Sequence, residues 1–198
     1  VEVSVTHPLD YAKSCAQQQR SAVARQMYRG VTSRWASVLP MRGILWTSKK
    51  EGSRLMDRSS YVEKSVAIGS AAGACQSVVD VPAENIKLQR MASCNSGVVS
   101  YNPACLSRGI VPNTARNIVL CTGIIAGSLH SHPFGVLVGS FFGCLASQPF
   151  DYVKTMQQTG SVVRMSLSNA MKGWQYRAFI TPVNMVIGYN VFNLINDG

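Results

Sequence analysis

Three stretches of this chain carry one pattern. His7-Pro8-Leu9-Asp10-Tyr11-Ala12-Lys13, Val81-Pro82-Ala83-Glu84-Asn85-Ile86-Lys87 and Gln148-Pro149-Phe150-Asp151-Tyr152-Val153-Lys154 each read Pro-x-acid-x-x-Lys. The prolines lie 74 and then 67 residues apart. A basic residue before glycine follows each motif, in Tyr28-Arg29-Gly30, Ser107-Arg108-Gly109 and Met171-Lys172-Gly173. One such motif recurs by chance. Three at near-regular spacing, each with the same downstream partner, indicate a repeat architecture whose units bury their apolar faces against one another. The repeats run over 1–60, 61–130 and 131–198 and form one domain.

Apolar segments fill the spaces between these landmarks. Ser65 to Val81 and Pro133 to Pro149 are nearly uncharged, and Asn117 to Leu129 and Ala178 to Ile195 hold no acid or base. Thr32 to Thr47 is apolar but carries Arg34 and Arg42. These runs of 13–18 residues fall a little short of the roughly 20 a spanning helix needs. Polar helix ends that line an internal cavity make up the difference; a bundle of buried soluble helices is the alternative. Gly69 and Gly73, Gly123 and Gly127, and Gly135, Gly139 and Gly143 recur every fourth residue. That spacing cuts a groove into which a neighbouring helix backbone fits, as membrane helices often pack.

Charge is scarce and lopsided, with 19 Lys and Arg against 9 Asp and Glu and a net charge of +10. Its placement decides its meaning. The stretches after the three prolines hold Lys13, Arg20, Arg25, Arg29, Arg34, Lys87, Arg90, Arg108, Lys154, Arg164 and Lys172, opposed by Asp10, Glu84 and Asp151. A one-sided basic bias of this kind is a topology signal, and it argues against nucleic acid as the partner. Six cysteines (Cys15, Cys75, Cys94, Cys105, Cys121, Cys144) form no CxxC pair, so neither a disulfide framework nor a zinc site is expected. His130 and His132 lack the further His or carboxylate neighbours of a metal site and read as an exposed loop. Nothing in the chain reads as an enzyme.

Taken together, these motifs resemble the mitochondrial carrier family over essentially the whole chain. The resemblance implies an all-α membrane protein of the mitochondrial carrier fold, multi-pass in the mitochondrial inner membrane. It would have three tandem helix-pair repeats and six transmembrane helices with the first one truncated. Pro8, Pro82 and Pro149 would be the helix kinks, since proline removes a helical hydrogen bond and bends the chain. The bent ends would converge, so that each acid meets the base of the next repeat. Asp10, Lys13, Glu84, Lys87, Asp151 and Lys154 would then close a ring at the matrix end. Gln17 and Gln158, nine residues after their prolines, match the family's glutamine brace, whereas the second repeat has Met91 there.

The same resemblance assigns two kinds of ligand. Helix starts attract phosphate, so Arg29 with Gly30, Arg108 with Gly109 and Lys172 with Gly173 are candidate cardiolipin sites; no other cofactor is implied. Substrate contacts would fall on the even helices. Arg116 and Asn117 follow Gly109 at the family's offsets and suit a carboxylate, while Ser37, Arg34 and Arg177 are the remaining contact candidates. Asp80, two residues before Pro82, is an extra acid near the cavity, able to neutralise one of these arginines.

Three departures from the family pattern weigh against transport. Few residues precede Pro8, the matrix loops are short, and a second gate is incomplete: the fourth and sixth helices end without its charges, at Ser128-Leu129 and Phe192-Asn193-Leu194-Ile195-Asn196, while the second offers Lys49, Lys50, Glu51 and Arg54 in shifted register. Alternating access needs two gates of comparable strength. The resulting expectation is a transport-impaired, structural or accessory subunit of a larger inner-membrane assembly, a respiratory chain complex or the ATP synthase. An active exchanger of small anions, such as carboxylates or keto acids, is the alternative.

Overall fold

The structure is a computed structural model that describes residues 8, 11–12, 28, 31–92, 101–129, 132–159, 166, 170–171 and 173–197. The described residues form helices and connections. In chain order they are α1 (Val31–Leu55), α2 (Tyr61–Ala92), α3 (Pro103–Leu106), α4 (Ile110–Ser128), α5 (Pro133–Thr159) and α6 (Trp174–Asp197). Each apolar run of the sequence lies inside one of the five long helices. Pro82 and Pro149 lie inside the continuous helices α2 and α5, so the Pro-x-acid-x-x-Lys motifs are helical extensions of the apolar runs. Pro8 is also helical, and Asp10, Lys13, Gln17, Arg29, Gly30 and Lys172 lie outside the described residues.

Local chemistry explains several boundaries. Asn102 accepts a hydrogen bond from the Ala104 amide, and Pro103 occupies the first turn, which together start the single-turn helix α3. Gly109 has φ 76°, a left-handed conformation that penalises any side chain, and it turns the chain from α3 into α4. Gly173 repeats this, with φ 76°, immediately before α6. His132 is exposed, and its Nδ1 accepts from the Phe134 amide at the start of α5.

The long helices pack in the order α1, α2, α4, α5, α6, and α1 touches α6 to close the circuit. Glycines set the closest approaches. A Cβ on Gly73 would stand 2.6 Å from the Ile118 backbone, which brings α2 hard against α4. Gly123 and Gly127 of α4 face Gly135, Gly139 and Gly143 of α5, and a Cβ on Gly123 would lie 2.7 Å from the Gly139 carbonyl oxygen. The fourth-residue glycine spacing is therefore a backbone-to-backbone seam.

Besides an apolar core, the described residues bury charge and expose large apolar side chains. Asp80, Asp151, Lys154, Arg116 and Arg177 are buried, with Asp80 0% and Lys154 1% exposed. Val78 of α2 is 71% exposed and Phe179 of α6 is 67% exposed. On α6 the exposed Phe179, Val183, Ile187 and Val191 recur every four residues and form an outward apolar stripe. Such a large exposed apolar surface over a charged interior needs an apolar surrounding. By length and composition, Tyr61–Lys87 and Pro133–Gln158 are the two described helices able to cross a membrane.

Candidate functional site: a charged cavity inside the helix ring

All five long helices wall a cavity of about 140 Å³. Its lining changes character along the helices. At one end stand Glu84 and Lys87 of α2, Arg116 of α4, Asp151 and Gln158 of α5 and Arg177 of α6. Further along come Gln76, Asn117, Thr181 and Asn184, and beyond these Leu45 and Ile124 lead into an apolar cluster. That cluster contains Trp46, Ile68, Ala72 and Tyr189.

The charged end is a single network. Lys154 forms an ion pair with Glu84, and its Nζ is 3.8 Å from Asp80 Oδ2. Arg116 is held by three acids: Asp80 at 2.5 Å, Asp151 at 3.1 Å and Glu84 at 3.7 Å. Its guanidinium also donates to Asn117 Oδ1 at 2.7 Å and 3.1 Å. Arg177 lies 3.8 Å from the other oxygen of Asp151 and donates to Ser147 Oγ at 2.7 Å and Gln148 Oε1 at 3.4 Å. Buried charges persist only when paired and hydrogen-bonded, and here three acids and three bases balance one another.

The Glu84–Lys154 pair joins the acid of the second motif to the base of the third, the pairing expected of a ring. Asp151 pairs with Arg116 and Arg177, on the even helices; Lys13, the motif base expected to meet it, lies outside the described residues. Lys87 is buried on the cavity wall. Gln158 lines the cavity and packs under Gly109, with no hydrogen-bond partner for its side-chain amide among the described residues. Of the substrate-contact candidates, Arg116, Asn117 and Arg177 come together at the cavity. Ser37 is buried on α1 outside the cavity lining, and the side chain of Arg34 lies outside the described residues. Arg108 is exposed beside Gly109.

Two groups escaped the sequence reading. Arg42 of α1 lines the cavity and crosses to α6, donating to Asn184 O at 3.1 Å and to Met185 Sδ. Gln76 of α2 donates to Met41 O at 2.8 Å and accepts from Cys121 Sγ at 3.3 Å. A basic residue inside an otherwise apolar run was the available signal for Arg42. For Gln76 the signal was its place six residues before Pro82, one helical face with Asp80.

The apolar end has its own closure. The Trp46 ring sits 5.7 Å from Tyr189 and 5.6 Å from Phe192, and Lys49 Nζ lies 4.8 Å above Tyr189. Aromatic contacts and a cation–π contact thus join α1 to α6 at this end.

This geometry gives context to the comparison with known proteins. Mitochondrial substrate carrier family protein X of Dictyostelium discoideum is 25% identical over 188 aligned residues, covering 80% of this chain. That similarity supports the carrier family. The chain spans 58% of the length of that relative. No protein-family profile matches the chain.

Proposed function

We propose that the chain is a multi-pass membrane protein of the mitochondrial carrier type that accepts a small anion, such as a carboxylate or keto acid, in its central cavity. One observation carries this reading. Among the described residues, Arg42, Lys87, Arg116 and Arg177 line the cavity beside Glu84 and Asp151, and a guanidinium in a dry site is well suited to a carboxylate. The Glu84–Lys154 pair and its neighbours act as the matrix gate. The distant carrier relative and the outward apolar faces support placement in the mitochondrial inner membrane. Gly109 and Gly173, each opening a long helix, are proposed to hold cardiolipin headgroups.

The test is counter-exchange in liposomes. Purified protein should exchange a labelled dicarboxylate with saturation, and the absence of exchange with every small carboxylate would remove the transport reading.

A second reading retains the accessory-subunit expectation. Two observations favour it: Arg116 is already held by acids, and the far end is joined by aromatic packing instead of separable ion pairs. In this reading the native protein migrates in mild detergent with a respiratory complex or the ATP synthase; migration as a small monomer would overturn it.

A further inference from the structure

The two buried arginines of the cavity are treated differently by equivalent positions of the repeat. Asp80 and Ser147 each lie two residues before their motif proline, Pro82 and Pro149. In the third repeat, the neutral Ser147 hydroxyl accepts from Arg177 at 2.7 Å. In the second, the Asp80 carboxylate accepts from Arg116 at 2.5 Å and from Asn117 Nδ2 at 3.4 Å. Asp80 is fully buried, and the same oxygen lies 3.8 Å from Lys154 Nζ. One repeat position therefore carries an acid where its counterpart carries a hydroxyl, and that acid holds the residue best placed to bind a carboxylate.

We propose that Asp80 is a specificity-determining residue, a resident carboxylate that holds Arg116 in place of an incoming anion. The proposal rests on the anion-binding reading above. An anion entering the cavity is held by Arg42, Lys87 and Arg177, with Arg116 engaged by the resident acids. Asp80 also lowers the positive charge of the site by one, so the site favours small mono- and dicarboxylates over tricarboxylates. Replacing Asp80 by a neutral amide removes the shortest of the three acid contacts of Arg116, frees part of its guanidinium for the anion and shifts preference toward the more highly charged one.

The experiment is a thermal-shift titration of the full chain in detergent with succinate and with citrate. Asp80→Asn is expected to lower the citrate midpoint roughly tenfold, the scale of one charged hydrogen bond, and to raise the citrate-to-succinate preference. Breaking one member of a buried pair also threatens folding, so Asp80→Asn/Arg116→Gln, which removes both partners, is measured beside Arg177→Gln. The double variant is expected to lose less anion response than Arg177→Gln alone. Equal citrate midpoints for the native chain and Asp80→Asn would overturn the proposal and leave the anion-binding reading standing. A double variant as impaired as Arg177→Gln would do the same, because Arg116 would then be holding the anion in the native chain. A response confined to Asp80→Asn would uphold the role of Asp80 while removing native anion binding. No response in native chain or variant would overturn both.

Discussion

At the scale of single residues, Lys154 carries the most weight. It is nearly fully buried and bridges Glu84 and Asp80. Lys154→Met leaves carboxylates facing one another in an enclosed site and is expected to cost roughly 3–5 kcal/mol, the range for breaking one side of a buried pair. The double Lys154→Met/Glu84→Gln should recover most of that loss, read as the midpoint of thermal unfolding in detergent; no recovery would separate the two residues energetically. The Glu84–Lys154 pairing was legible in the sequence because motif spacing puts an acid and the next repeat's base at one level. The contacts of Asp151 with Arg116 and Arg177 were not, because both arginines sit on the even helices, whose rotation about their axes the motif does not specify. Arg42 was hidden for a related reason: an arginine in an apolar run reads alike whether it faces a cavity or a neighbouring helix.

At the scale of elements, the decisive contact is the seam between α4 and α5. A Cβ on Gly127 would collide with the Gly135 backbone, and one on Gly139 would lie 2.9 Å from the Gly127 Cα. Gly127→Val should therefore force the helices apart and abolish the monodisperse folded species in size-exclusion chromatography. Gly43 of α1 is a matched control, since a Cβ there meets nothing within 4 Å among the described residues. Gly43→Ala should leave the elution profile intact and raise stability by about 0.5–1 kcal/mol, the usual helical difference between the two residues. The fourth-residue glycine rhythm announced close packing, but not that the glycines of α4 would meet those of α5. Periodicity reports which face of a helix is narrow, whereas the choice of partner depends on connection geometry. The single-turn helix α3 was missed although Asn102-Pro103 is a helix-start signal, because four residues are too few to show any period.

At the scale of the whole molecule, the apolar exterior is the feature to test. Cys75 is exposed on α2, within the segment Tyr61–Lys87. In a variant retaining Cys75 alone, a charged maleimide should fail to label the protein in liposomes and label it after solubilisation in SDS. Rapid labelling in liposomes would mean that this face meets water. The apolar exterior was legible from the scarcity of charge and the length of the apolar runs. The cavity was legible only in outline, because its volume depends on how five helices converge. The glycine seam has a mechanical consequence for the ring. Two backbones in contact leave no side-chain rotamers to rearrange, so α4 and α5 slide past each other only by collision. The junction of α1 with α6 instead depends on Arg42, Trp46, Lys49 and Tyr189, all of which can change rotamer. The seam thus resists sliding between α4 and α5, whereas the contacts that join α1 to α6 are made by side chains free to repack.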